Sequence, residues 1–470
     1  MSFSYSSIPH LYEKTYTDIV EGYLLVYQPL SRKGITVLNK SSAFLFNLIN
    51  SKRTLSEIFL LAKTRESGVK YSQIAGIFKD FVSSEIIYFN SLKLDKTYLF
   101  AESRMLLVWF HITNQCNLRC KYCYVWKTPE KMSNEISIKA INRILFDAKK
   151  HEYKKVMIQF SGGECLLELN RIIYLVHLSN QLANQLGIII NYAIVTNGVL
   201  INKKSAQLLK KNNINVAVSL DGLDKYHDAQ RVFPDGSGTF KYVEKGIKNL
   251  LATNVAFHTT VTITSKNIEN IPDLTKYFLD NNISFVFNFY AENPCVQEDL
   301  KADDKKLIKY LKKSFRIIYN YPFQNKIIPT ILDYISFKKP HLSKCSIGHG
   351  FLVINHKGKL ASCPSTIDQP IGSIEDDDII ETTRKSYLVS KNRLSVEKIT
   401  SCKNCQWIYT CCGGCSLLTF RYKGRYDANS PYCKVYKALI PEVLRLEAKR
   451  LIKYGMQIYN NKNNEKTIFV

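Results

Sequence analysis

Three cysteines in the run Asn114-Gln115-Cys116-Asn117-Leu118-Arg119-Cys120-Lys121-Tyr122-Cys123-Tyr124 stand at the spacing C-x3-C-x2-C. Thiolates spaced this way can hold three irons of a four-iron cluster and leave the fourth iron without a protein ligand. A cluster that only carries electrons is closed by four thiolates. An open iron can instead accept a ligand that brings reactive chemistry with it. The plainer alternative is a zinc site or three structural thiols. Seven of the eight cysteines in the last third of the chain, all but Cys412, form a further pattern: Cys345, then twelve residues to Gly358, four more to Cys363, then Cys402-x2-Cys405-x5-Cys411-x3-Cys415, and Cys433. A zinc ribbon would use the C-x2-C pair but strand three of the remaining thiols. Thirteen cysteines in a 470-residue chain, grouped at short spacings and with no signal peptide ahead of them, read as metal ligands rather than as a disulfide framework.

Such a loop has to be held by regular structure, and the segment from Arg104 to about Asn320 alternates short β-rich runs with amphipathic stretches. Six strands are expected at Met105–Ile112, Val156–Phe160, Ile188–Val195, Asn215–Leu220, Phe257–Ile263 and Phe285–Phe289. Helices are expected at about Ile136–Lys149, Leu169–Leu186, Lys203–Lys210, Tyr242–Leu251, Ile271–Asp280 and Lys305–Tyr319. Polar groups fall where the strands end: Ser161-Gly162-Gly163-Glu164 after the second, Thr196-Asn197-Gly198 after the third, Ser219-Leu220-Asp221-Gly222 after the fourth. In folds of this kind the C-terminal ends of parallel strands form one mouth, where a cofactor binds.

The flanks read differently. Gly22–Tyr27 and Ile35–Leu38 are expected as strands, followed by helices over Ser41–Asn50, Leu55–Thr64 and Tyr71–Ser83, with Thr54 and Glu57 as a capping box. From Leu342 to Cys433 there is little periodic structure, so metal clusters rather than a large apolar core are expected to hold that part together. A last helix is expected from about Ile440 to Tyr454, docked on the barrel. The domains expected are 1–95, 104–320, 342–435 and a C-terminal helix and tail, 436–470.

The C-x3-C-x2-C loop, the GGE element and the strand-end SLDG together resemble the radical S-adenosylmethionine (SAM) superfamily. The resemblance implies an α/β fold built on a partial (β/α)6 TIM-type barrel. In that family the amine and carboxylate of SAM chelate the open iron. One electron from the cluster then cleaves SAM to methionine and a 5'-deoxyadenosyl radical. Carried onto this chain, Cys116, Cys120 and Cys123 hold the cluster and Tyr122 packs near the adenine. Gly162, Gly163 and Glu164 bind the SAM amino group, and Asn197 and Ser219 contact ribose or carboxylate. Arg231 pairs with the carboxylate; its plainer alternative is a surface ion pair. Cys165 departs from the family, which usually has Pro there, and reads as a structural thiol.

The seven later cysteines resemble the SPASM domain, a twin-cluster extension of peptide- and protein-modifying members. By that resemblance Cys345, Cys363 and Cys415 hold one auxiliary cluster, while Cys402, Cys405, Cys411 and Cys433 hold another, giving three [4Fe-4S] clusters in all. The first auxiliary set lacks a fourth ligand, and Lys339 and Pro340 stand where some relatives have an extra cysteine. Cys295, His341, His349 or the substrate could complete it. Cys412 is expected to be a bystander. The first ninety or so residues resemble, by pattern, the winged-helix-like PqqD peptide-recognition domains, with Ile35–Leu38 and Tyr71–Ser83 forming a leader-binding groove.

The combination implies a cytoplasmic oxidoreductase that matures a ribosomally synthesised peptide by an oxidative carbon–sulfur, carbon–carbon or carbon–oxygen cross-link. Its expected partners are SAM, a precursor peptide and an electron donor such as flavodoxin or ferredoxin. One alternative is a sulfatase-maturing type of oxidation, in which an Asp follows the cysteine matching Cys363; here Pro364 follows. Another is a basic iron–sulfur protein that binds RNA or carries electrons. The formal charge of +25, from 65 basic and 40 acidic residues, is spread along the chain, so a solvated basic surface or an acidic peptide is favoured over nucleic acid. No apolar run reaches the roughly 18 residues of a membrane span, so no membrane partner is expected.

Overall fold

A computed structural model describes residues 4–89, 104–296, 298–321, 331–333, 335, 337, 340–343 and 345–455. The end of the expected N-terminal domain, the tail beyond 455 and position 339 lie outside these. The N-terminal unit has β1 (Pro9–Leu11), β2 (Tyr16–Val20), β3 (Tyr23–Tyr27), β4 (Ile35–Leu38) and β5 (Ile87–Phe89). β2, β3 and β4 form an antiparallel meander, and β1 pairs with β5. Three helices, Lys40–Asn47, Leu55–Arg65 and Tyr71–Ser83, lie between β4 and β5. The middle one opens with the expected capping box: Thr54 N donates to Glu57 Oε2 at 2.7 Å and Glu57 N to Thr54 Oγ1 at 3.3 Å. β1, β2 and β5 were not foreseen in the sequence, being three to five residues long with no clear alternation.

The central strands are β6 (Met105–Thr113), β7 (Lys155–Gly162), β8 (Ile189–Thr196), β9 (Ile214–Ser219), β10 (Phe257–Ile263) and β11 (Phe285–Phe289). They lie parallel and in sequential order. The expected six strands and crossover helices are all present, with boundaries shifted by two residues or fewer. Val108, Phe110 and Ile112 on β6 alternate with Trp109 and His111, so one face of the strand packs on the helices. There Phe110 meets Phe160 edge to face at 5.7 Å.

The C-terminal part corrects an expectation. β12 (Phe351–Ile354), β13 (Lys359–Ala361) and β14 (Pro370–Ser373) continue the same sheet beyond β6, making nine strands in the order β11-β10-β9-β8-β7-β6-β12-β13-β14. β12 runs parallel to β6, with Phe351 opposite Leu107 and Ile354 opposite Phe110. Ile347, Val353, Ala361, Ile367 and Val389 form a small apolar core of their own, against which Trp109 packs. Clusters are therefore not all that organises this region. Strands of three or four residues are too short to show a period.

The last helix spans Cys433–Arg450, starting seven residues before the expected point, with Pro441 inside it. A proline is at home in a first helical turn, which makes Ile440-Pro441 look like a start. Here Pro441 forgoes its hydrogen bond within a helix buried along Leu439, Ile440, Val443 and Leu444. The meander sits against this helix, where Arg445 Nε bonds Asp18 Oδ2 at 2.7 Å, and it also meets the segment before it, where Tyr27 Oη and Thr410 Oγ1 are 3.0 Å apart. Leu25, Tyr27, Ile35 and Val37 share one apolar core with Leu439 and Val443.

Tyr432 joins this helix to the barrel. Its ring stacks on Phe289 at 4.8 Å and its hydroxyl donates to the Tyr290 carbonyl at 2.7 Å, with 1% of the residue exposed. Tyr432→Phe should cost about 1 kcal/mol and Tyr432→Ala about 3–5 kcal/mol. Thermal or denaturant unfolding of the two variants would show that ratio; equal losses would mean that the ring contributes nothing beyond its hydroxyl.

Candidate active site

The three cysteines of the first motif sit on the loop leaving β6, and the loop is clasped by the end of β7. Gly163 N donates to the Thr113 carbonyl at 2.7 Å and Glu164 N to the Gln115 carbonyl at 2.8 Å. The two glycines are demanded by this approach. Gly162 has φ +151°, and a Cβ on Gly163 would overlap the carbonyl oxygens of Gln115 and Asn114. The cradle leaves Cys116, Cys120 and Cys123 half-buried beside one another, each within electrostatic reach of the others.

Burial pushes the Cys120 thiol up to about 12 and raises Cys116, opposed at Cys120 by Arg231 and at Cys116 by Lys127. Such thiols give up their protons to a metal that supplies the compensating charge. The donor set fits a four-iron cluster with one iron left open. Among the described residues no three His, Cys, Asp or Glu side chains gather closely enough for a single metal ion; a cluster of four irons needs its thiolates farther apart.

Around this loop the predicted residues fall on the barrel mouth. Glu164 is fully buried. Its Oε1 accepts from Leu166 N at 3.0 Å and Thr196 Oγ1 at 2.8 Å, and its Oε2 accepts from Asn197 N at 2.8 Å. The chain's own donors therefore take three of the lone pairs expected to face the SAM amine, and Glu164 also ties β7 to the end of β8. Asn197 reaches the loop, its Nδ2 donating to Asn117 Oδ1 at 2.8 Å. Ser219 is buried at the end of β9.

Arg231 forms an ion pair, but a buried one rather than a surface one: Nε bonds Asp221 Oδ2 at 2.6 Å, and an outer nitrogen comes within 3.8 Å of Cys120 Sγ. Tyr122 donates to the same Asp221 oxygen at 2.6 Å, with the Arg231 guanidinium 5.2 Å from its ring centre. Gln230 Nε2 also donates to Oδ2, at 2.8 Å, while Thr262 N donates to Oδ1 at 2.8 Å. Burial would raise the Asp221 carboxyl, but Arg231 and His227 outweigh it and hold it below the ordinary range. Asp221, Gln230 and Lys127 were not singled out from the sequence. Asp221 lies within the quoted SLDG, and a carboxylate ten residues before an arginine was the available signal.

The later cysteines form two sets. Cys345, Cys363 and Cys415 lie within electrostatic reach of one another, and burial pushes Cys345 up to about 11 and Cys363 to about 12. Cys402, Cys405, Cys411 and Cys433 line one pocket with Trp407 and Tyr436. Cys412 points elsewhere, donating to the His341 carbonyl at 2.8 Å. Cys165 is buried and donates to the Val195 carbonyl at 3.2 Å, as a structural thiol would. Cys295 donates to the Tyr124 carbonyl at 3.2 Å, which places it on the side of Cys123.

Residues 110–278 match the model of the Radical SAM superfamily. The chain is 25% identical over 453 residues to the radical SAM cyclopropyl synthase TigE of Paramaledivibacter caminithermalis, covering 87% of this chain and 90% of that one. It is 25% identical over 349 residues to a cysteine-type anaerobic sulfatase-maturating enzyme of Clostridium perfringens, covering 68% of this chain and 91% of that one. The crystal structure of Streptococcus suis SuiB bound to its precursor peptide SuiA superposes with a TM-score of 0.50 at 18% identity, covering 91% of this chain and 100% of that one. The chain therefore carries a radical SAM domain and is an enzyme. Radical SAM enzymes hold a [4Fe-4S] cluster and bind SAM.

Gly163→Ala should push the Gln115 carbonyl, and the cysteine loop with it, out of place. SAM cleavage by the reconstituted protein should fall at least tenfold, as about 1 Å of misplacement is enough to do. Cleavage at the wild-type rate would show that the loop does not depend on the clasp.

Proposed function

We propose that the protein is a radical SAM maturase of a ribosomally synthesised peptide, forming an oxidative intrapeptide cross-link. Similarity to a cyclopropyl synthase over 87% of the chain carries this reading, because it spans much more than the radical SAM domain. The bound cluster and SAM would supply one-electron chemistry that removes a hydrogen atom from the peptide. Cys116, Cys120 and Cys123 would hold that cluster, with Tyr122, Gly162, Gly163, Glu164, Asn197, Ser219 and Arg231 around the SAM. Asp221 would keep Arg231 and Tyr122 in fixed orientation. Cys345, Cys363 and Cys415 would hold one auxiliary cluster, and Cys402, Cys405, Cys411 and Cys433 the other. Ring closure is a net two-electron oxidation, and the auxiliary clusters would take the second electron. An external donor such as flavodoxin or ferredoxin would reduce the barrel cluster.

The N-terminal unit would recognise the leader segment of the precursor. β4 is buried at all four positions, so addition of a peptide strand beside it is not open as the unit stands. The accessible space is a cavity of about 790 Å³ between its helices, lined by Phe44, Val69 and Ile77 with Lys40, Arg65 and Asp80. Hydrogen-exchange protection of Tyr71–Ser83 on adding a precursor peptide would support this placement; protection confined to the barrel would refute it.

A sulfatase-maturing activity is the second reading, favoured by the 25% identity to such an enzyme. It accounts for 68% of the chain, and Pro364 stands where its base would be.

Anaerobic reconstitution should load about twelve irons per chain if three four-iron clusters form. Replacing Cys116, Cys120 and Cys123 together by Ala should abolish 5'-deoxyadenosine formation and leave about eight. Undiminished cleavage by that variant would overturn the assignment. Replacing Cys402 and Cys405 should instead stop cross-linking while some uncoupled SAM cleavage persists. Full product from a folded double variant lacking the second auxiliary cluster would remove that cluster from the reaction.

A further inference from the structure

Two cations reach the first cysteine set, and they differ in how they are held. The Arg231 charge is matched by Asp221 at 2.6 Å. Lys127, four residues after Cys123, is half-buried and donates from Nζ to Cys123 Sγ at 2.9 Å. This ammonium thus meets a sulfur where Arg231 meets a carboxylate. A half-buried ammonium is costly unless an anion accompanies it. Here the accompanying anion is the candidate ligand set itself.

We propose that Lys127 is a positioning residue for the barrel cluster, its ammonium gripping the Cys123 thiolate and making the cluster easier to reduce. This rests on the reading of Cys116, Cys120 and Cys123 as ligands. A cation hydrogen-bonded to a ligand sulfur draws charge from it and favours the more negative, reduced cluster; hydrogen bonds to sulfur and net charge are among the factors that set these potentials. The residue acts through Cys123.

The test uses the full chain, reconstituted anaerobically, as wild type and as Lys127→Met, Lys127→Gln and Lys127→Arg. Iron content, SAM affinity by equilibrium dialysis, and the midpoint of the SAM-responsive electron paramagnetic resonance signal are measured on each. The two uncharged variants should keep their iron and show a more negative midpoint, and the arginine variant should restore most of the shift. Selective loss of barrel-cluster iron from both uncharged variants, with the arginine variant intact, would likewise support a cation that holds the ligand. An unmoved midpoint in Lys127→Met and Lys127→Gln overturns the proposal, as does an equal shift in Lys127→Arg. Weaker SAM binding at an unmoved midpoint also overturns it and assigns the ammonium to SAM. The underlying reading fails separately, if the triple Cys→Ala variant keeps a SAM-responsive signal.

Discussion

The site depends on how closely two pieces of backbone approach. Two hydrogen bonds join the end of β7 to the loop leaving β6, and the separation leaves no room for a Cβ at Gly163. The strand-end groups on the β7 and β8 side of the cysteines take their position from this clasp. Glu164 follows the glycines directly and carries the constraint sideways to Thr196 and Asn197, and Asn197 returns to the loop at Asn117. The ring of contacts closes through carboxylate, amide and hydroxyl groups, and it meets the thiols only where Asn197 Nδ2 comes within 4.0 Å of Cys116 Sγ.

A second constraint is electrostatic. The mouth gathers Glu164, Asp221, three potential thiolates, Arg231 and Lys127 in a poorly solvated space where unmatched charge is expensive. Asp221 accepts four hydrogen bonds from Tyr122, Gln230, Arg231 and Thr262, which come from the cysteine loop, the segment after β9, and β10. The carboxylate thereby fixes three parts of the barrel relative to one another. It also leaves the outer end of Arg231 directed toward Cys120, where a bound anion would meet it.

Much of this was legible in the sequence because the parallel strands are long enough to show their pattern and are separated by well-formed amphipathic helices. The cysteine groupings were legible for another reason: spacing survives whatever the backbone does between the cysteines. What escaped was of two kinds. β1, β12, β13 and β14 are three or four residues long, and β1 and β12 take their partners β5 and β6 from distant parts of the chain. Asp221 and Lys127 are single charged residues whose meaning comes only from burial, which a lone Asp or Lys in a basic chain does not reveal. The internal role of Glu164 shows the same limit, since its bonds to Thr196 and the amide of Asn197 exist only in three dimensions.

Pairing of β12 with β6 has a consequence for how the chain is made. β6 is the first strand of the radical SAM domain to leave the ribosome, yet one of its two hydrogen-bonding edges is completed by Phe351–Ile354, after the whole barrel has been synthesised. Until then that edge is a row of unpaired backbone groups, open to pairing with another chain. Loop closure over so long a separation is slow. The hairpin between Cys345 and Cys363 thus doubles as the last staple of the barrel, and a nascent chain halted before residue 351 would be the form most prone to aggregate.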